Sequence, residues 1–253
     1  MSLAPIVLVH GAWGGAWIWR RVLGPLRAAG HAVHAVTLTG DGERAHLRTQ
    51  LPAGGITLQT HIDDVVGLIE AEELSDLVLV GHSYGGMVVT GAADRLSARD
   101  PAAIRQLVYL DAMIPLPGEG WGQQHSPEVV AERTAAAHAN AYALPPPDPA
   151  GFGLSGTDRD WLLRRQVPHP FGPHPHGPYR EPLDYDGARW QRLSRHFIDC
   201  NEPAYPTISA MRGRARTLSG FTVHEMATGH CPMVSEPAAL VQLLLAIAAQ
   251  PRP

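Results

Sequence analysis

The 253-residue chain has no lysine, and all twenty of its basic residues are arginine. That absence excludes a pyridoxal phosphate Schiff base and a Walker A loop, which both need a lysine amine. Cysteine is nearly as scarce. Cys200 and Cys231 form no C-x-x-C pair, so neither a disulfide framework nor a cysteine-rich zinc site is expected, and a reducing, cytoplasmic setting is the expectation. Charged residues make up only 17% of the chain, with a net charge of -4 and no basic stripe. This argues against a nucleic-acid partner and against a polybasic membrane anchor. No apolar run is long enough to span a bilayer. The start, Met1-Ser2-Leu3-Ala4-Pro5, lacks the basic region and long apolar stretch of a secretion signal. Apolar residues reach 45%, enough to bury the core of one large domain, so residues 1–253 are read as a single unit.

What is present is alternation. Ile6-Val7-Leu8-Val9, Val33 to Leu38, Leu77-Val78-Leu79-Val80 and Ile104 to Leu110 read as strands. Helical spacing over 17–29, 57–73 and 84–96 separates them. Such a pattern predicts an α/β fold with a mostly parallel sheet and helices on both faces. It breaks near Pro115, where a Pro- and Gly-rich stretch with helices near 127–140 and 158–166 begins. It resumes with strand His196–Cys200, helix 206–217, strand Phe221–Met226 and helix 236–249. A sheet interrupted and then completed implies an inserted cap, over about 113–185.

Gly81-His82-Ser83-Tyr84-Gly85 is a G-x-S-x-G placed directly between a strand and a helix. A bare Gly-Ser-Gly turn is common. This context makes it specific, because a nucleophile at the tip of so sharp a turn needs small neighbours two residues away on either side. Gly81 and Gly85 meet that need, and Gly86 lets the helix approach the sheet. Serine needs a base. His230, in the loop after the last predicted strand, sits where ligands bind in open α/β sheets. His82 is expected to point away into packing, and His10 to buttress the loop after the first strand. For the acid, Asp111 directly follows a strand, while Asp199 and Glu202 lie around the end of the next; any of them could orient the imidazole. Oxyanion donors are expected from the N–H groups of Tyr84 and Ala12. Trp13, Met113, Trp121, Trp161 and Met233, with Trp17, Phe152 and Phe171, are candidates for an apolar substrate pocket. His169, His174 and His176 invite a metal, but interleaved prolines space them poorly and no acidic or Cys partner is in register, so none is expected. Cys231 reads as a buried small residue.

These segments resemble the α/β-hydrolase superfamily, and within it the branch of plant methylesterases, hydroxynitrile lyases and bacterial pyrethroid-type carboxylesterases. The likeness rests on Val7 to Trp13, Ala28-Ala29-Gly30-His31, Thr39 to Arg44, Val80 to Met87 and Thr228-Gly229-His230. It implies a sheet of about six strands, a cap and a cofactor-free acyl-enzyme mechanism. Two departures matter. The position of the plant branch's acid is held here by Asn201, while Val108 to Ala112 resembles haloalkane dehalogenases whose acid follows the strand after the nucleophile helix. That favours Asp111. Hydroxynitrile lyases of this branch carry Thr and Lys where this chain has Gly11 and Cys231, which favours hydrolysis.

The expectation is therefore a serine carboxylesterase for a small or medium hydrophobic ester or lactone. Its rivals are a lyase or eliminase using the same Ser-His pair, and a small-molecule receptor on a hydrolase scaffold. The expected partner is a small-molecule ester, with neither nucleic acid nor membrane. A homodimer is the one self-association left open.

Overall fold

The computed structural model describes residues 3–52, 55–172 and 177–252. Six strands form one sheet: β1 Ile6–Val9, β2 Val33–Val36, β3 Leu77–His82, β4 Ile104–Leu110, β5 Arg195–Cys200 and β6 Phe221–Met226. Their order is β2-β1-β3-β4-β5-β6, and every neighbouring pair is parallel. Each crossover carries helical structure, as parallel pairing requires. Central strands β1 and β3 are buried along their whole length, which is why they read as continuous apolar runs rather than alternating ones. Helices α1 (Arg20–Ala28) and α7 (Pro237–Ala248) pack together, and so do α2 (Leu58–Ala71) and α3 (Gly85–Arg99). Among the described residues no helix is long and apolar enough to cross a membrane.

The second strand ends at Val36, two residues before the expected Leu38. The reason is a contact with the loop after β1: the Leu38 N–H donates to His10 Nε2 at 3.0 Å, so a side chain takes the place of a ladder partner. Between β4 and β5 lies the inserted segment. It contains α4 (Pro127–Ala139), α5 (Gly156–Leu163) and a two-residue antiparallel ladder pairing Ala143–Leu144 with His169–Pro170. The expected helices fall there within two or three residues. Ser126 caps α4 by accepting from the Val129 N–H, with Pro127 at the first helical position. Two buried side-chain bonds help tie the insertion down. Trp13 Nε1–H donates to Leu144 O at 2.9 Å, and His169 Nδ1–H donates to Asp41 Oδ2 at 2.8 Å. The sheet resumes with β5, α6 (Ser209–Thr217) and β6.

Candidate active site

Ser83 lies between the end of β3 and the start of α3 with φ +54°, a left-handed conformation rare for a residue with a side chain. Such strain persists only where surroundings enforce it. Here they do. The Ser83 N–H donates to Leu110 O at 3.3 Å, and Ser83 O accepts from Gly86 and Met113 at 3.0 Å each. A Cβ on Gly81 would stand 2.6 Å from Gly85 O, and one on Gly11 would stand 2.7 Å from Ser83 Cβ. The loop after β1 thus lies against the serine only because residue 11 has no side chain. Among the described residues, the N–H groups of Ala12 and Tyr84 have no acceptor.

Asp111 directly follows β4, fully buried, with φ +40° and its N–H bonded to Ile198 O of β5 at 2.8 Å. His230 comes from the loop after β6. Its N–H donates to Phe152 O at 3.0 Å, and its Nδ1–H donates to Asp111 Oδ2 at 2.7 Å. Nε2 is then the ring's acceptor. Ser83 and His230 line one cavity but share no hydrogen bond in this resting arrangement, as is common in apo sites.

Neither Asp199 nor Glu202 bonds the imidazole. Asp199 sits within β5, its oxygens taken by Arg212 at 2.6 Å and Arg216 at 2.7 Å. Glu202 is exposed in the turn beyond.

Arg212, on α6, is the residue the sequence did not single out. Its Nη2–H groups donate to Asp111 Oδ1 at 2.8 Å and Cys200 O at 2.9 Å, Nε–H to Asp199 Oδ1 at 2.6 Å, and Nη1–H to Tyr205 O at 2.8 Å. A planar fork suits such multiple donation, which an ammonium could not reproduce. Burial lowers the His230 imidazole well below its ordinary value, with the Arg212 charge acting in the same direction, so the ring is neutral at rest. Burial pushes Asp111 up to about 7, against the pull of Arg212. The two titrate as a pair. Removing the Arg212 charge favours adding a proton to that pair at either site. Arg212→Gln should therefore move the acidic limb of a kcat/KM profile upward by roughly 1–3 pH units. An unmoved limb would mean that the guanidinium is only a packing element.

His82 departs from expectation. Rather than turning away, its ring lies 4.6 Å from that of His230, centroid to centroid, and its Nε2–H donates to His230 O at 2.8 Å. Burial lowers it to about 3, so it is a neutral support for the histidine loop. His10 Nδ1–H donates to Gly11 O at 2.6 Å, while Nε2 accepts from Leu38, fixing the loop after β1. His169 faces Asp41 and the interior; His174 and His176 lie outside the described residues. Among the described residues no cluster of His, Cys, Asp and Glu could hold a metal ion.

The cavity over Ser83 is small, about 20 Å³, and Trp13, Trp17, Phe152, Leu162, Gln166 and Cys231 help line it. Of the eight pocket candidates, Trp13, Trp17 and Phe152 are in its wall, while Phe171 stacks on Tyr179 at 4.6 Å. Met113 and Met233 are core, the former pressed against Gly86 through its backbone. Trp121 packs behind Tyr84 at 4.9 Å, and Trp161 edges onto the outer side of Trp17 at 5.2 Å. Residue type predicts that such side chains are buried but does not say which space they face. Leu162 and Gln166 were missed because a helix and its trailing loop gave no chemical signal. Cys200 and Cys231 are both buried and unpaired.

The chain is similar to known hydrolases over nearly its whole length. The chain is 40% identical over 259 residues to a carbendazim-hydrolysing esterase of Nocardioides sp. (strain SG-4G), covering 97% of this chain and all of the relative. It is 26% identical to methylesterase 7 of Arabidopsis thaliana, over 96% and 95% of the two chains. An extracellular α/β-hydrolase from a Paenibacillus species, described as homologous to tobacco salicylic acid binding protein 2, superposes with a TM-score of 0.79 at 23% identity. That match covers 98% of this chain and all of the other. The alpha/beta hydrolase family model matches residues 6–243, and the chain belongs to that family, in the branch of esterases and methylesterases.

Proposed function

We propose that this carboxylic ester hydrolase works through an acyl-enzyme on Ser83, with small or medium hydrophobic esters or lactones as substrates. The observation that carries the reading is the 2.7 Å bond from His230 Nδ1–H to Asp111, in a cavity whose wall also holds a strained serine. In this scheme Ser83 Oγ attacks the acyl carbon as His230 Nε2 takes its proton. Asp111 stabilises the imidazolium, and the Ala12 and Tyr84 N–H groups receive the oxyanion. His230 returns the proton to the leaving alcohol, then activates the water that releases the acid. The 113–185 insertion acts as the cap, since Phe152 and Leu162 come from it to the cavity. The two buried thiols fit a reducing compartment. The relative named for carbendazim makes that compound the first to try beyond simple esters.

The test is a p-nitrophenyl ester chain-length panel on purified protein, with a fluorophosphonate probe and peptide mapping. Labelling at Ser83 with turnover supports an esterase. Labelling without turnover points to a receptor, and an unsaturated product points to an eliminase. No step in this scheme uses a metal, so exhaustive chelation should leave turnover unchanged. Loss restored by one added divalent ion would revive a metal-dependent mechanism.

A further inference from the structure

The cavity over Ser83 has room for about one water, far too little for an ester. Beside it lies a much larger cleft, about 350 Å³, between α4 and the segment around Tyr205. Trp13 is in the wall of both spaces. Its ring stacks on Phe152 at 6.4 Å; Phe152 meets Tyr205 edge-on at 5.2 Å; Tyr205 lies over the His230 ring at 4.5 Å. Phe152 faces the catalytic cavity, Tyr205 faces the cleft, and Trp13 borders both, so these packed rings stand between the two spaces. Trp13 is also strained, with φ +65°, and is held there by the insertion: Val167 N–H donates to Trp13 O at 3.2 Å, and Trp13 Nε1–H to Leu144 O at 2.9 Å. Backbone strain held by neighbouring bonds clusters at active sites, ligand clamps and switch regions.

We propose that Trp13 is a gate between the catalytic cavity and this outer cleft, and that the cleft receives the larger half of an elongated, neutral ester. The proposal rests on the esterase reading above and names its substrate class. Breaking the Leu144 bond and turning the indole joins the two spaces into one volume of the size that small-molecule sites have. The carbonyl then lies at Ser83 and the bulk of the substrate against Val129, Ala136, Leu144 and Pro145. These apolar walls call for a hydrophobic group. Glu132 and Arg133 add one charge of each sign, so neither an anionic nor a cationic substrate is favoured. Tyr205 ties the cleft to chemistry, because a group seated against it lies one ring away from the base.

The experiment compares vinyl acetate, as the small ester, with 2-naphthyl acetate and p-nitrophenyl 4-phenylbutyrate, which place bulk on the alcohol and acyl sides. Ala136→Trp fills the cleft from a partly exposed position on α4, so it leaves the core intact. It should lower the bulky-to-small kcat/KM ratio by roughly tenfold or more for at least one bulky ester. Trp13→Ala removes the indole between the two spaces and should raise the same ratio. If Trp13→Ala does not fold, the Ala136→Trp ratio alone decides. A ratio unchanged in Ala136→Trp, with wild-type protein turning over all three esters, overturns the gate and leaves the esterase reading standing. No turnover of any ester by wild type overturns both.

Discussion

Ser83→Ala should lower kcat for a good ester by roughly 10³-fold or more while the protein melts at nearly the wild-type temperature. The kinetic effect follows from losing the oxygen that the proposed acyl-enzyme requires. The thermal result follows from what the hydroxyl does at rest. Among the described residues it has no hydrogen-bond partner, so its removal leaves no buried group unsatisfied. The positive φ is as strained for alanine as for serine, and the bonds that enforce it run through the backbone N–H and carbonyl, which the variant keeps. Near-wild-type turnover in a preparation free of contaminating esterase would end the acyl-enzyme reading. Fluorophosphonate labelling should vanish in the same variant.

Asp111→Asn is expected to lower kcat by about 10⁴-fold, the scale seen for amide replacement in the serine-protease triad. An amide can present its NH₂ to Nδ1, which would favour the wrong tautomer and leave a proton on Nε2, where the base needs a lone pair. It also withdraws the negative charge that balances the imidazolium in the transition state. The fold should survive, because Arg212 keeps Asp199 at 2.6 Å and two backbone carbonyls as acceptors. Asp199→Asn and Glu202→Gln should cost far less, since one carboxylate is engaged by Arg212 and Arg216 and the other is exposed. An Asp111→Asn enzyme with nearly full activity would show that the imidazole is oriented by its backbone contacts alone. Those are the Phe152 carbonyl on its N–H and His82 on its carbonyl.

Much of the frame was legible because burial writes itself into strands. Ile104–Leu110, buried at every position but Arg105, has the ends that its composition predicts. Ser83 and His230 stood out because a nucleophile turn and a loop at a strand's carboxyl end carry local signals. Asp111 needed one step more, its place immediately after a strand that neighbours β3. The failures share a cause. Arg212 meets partners 13 and 101 residues away, and nothing in Met211-Arg212-Gly213-Arg214-Ala215-Arg216 marks one arginine as the one that turns inward. Trp121 and Trp161 are aromatic and shielded as expected, but which void a ring borders depends on the packing of three elements at once. The shortened β2 likewise depends on an imidazole 28 residues away.

The strand order has a consequence for the chain while it is being made. β3 and β4 are neighbours, so the serine turn and Asp111 can come together as soon as the first half of the chain has folded. His230 arrives 119 residues after Asp111, and only once β5 and β6 have been added at the far edge of the sheet. Domains begin to organise from the amino end during synthesis. A nascent chain on the ribosome therefore carries its strained serine with no base to activate it through most of translation. If His230 is the base, as proposed, a product truncated before residue 230 should turn over no ester, so reactivity is withheld until the protein is nearly finished.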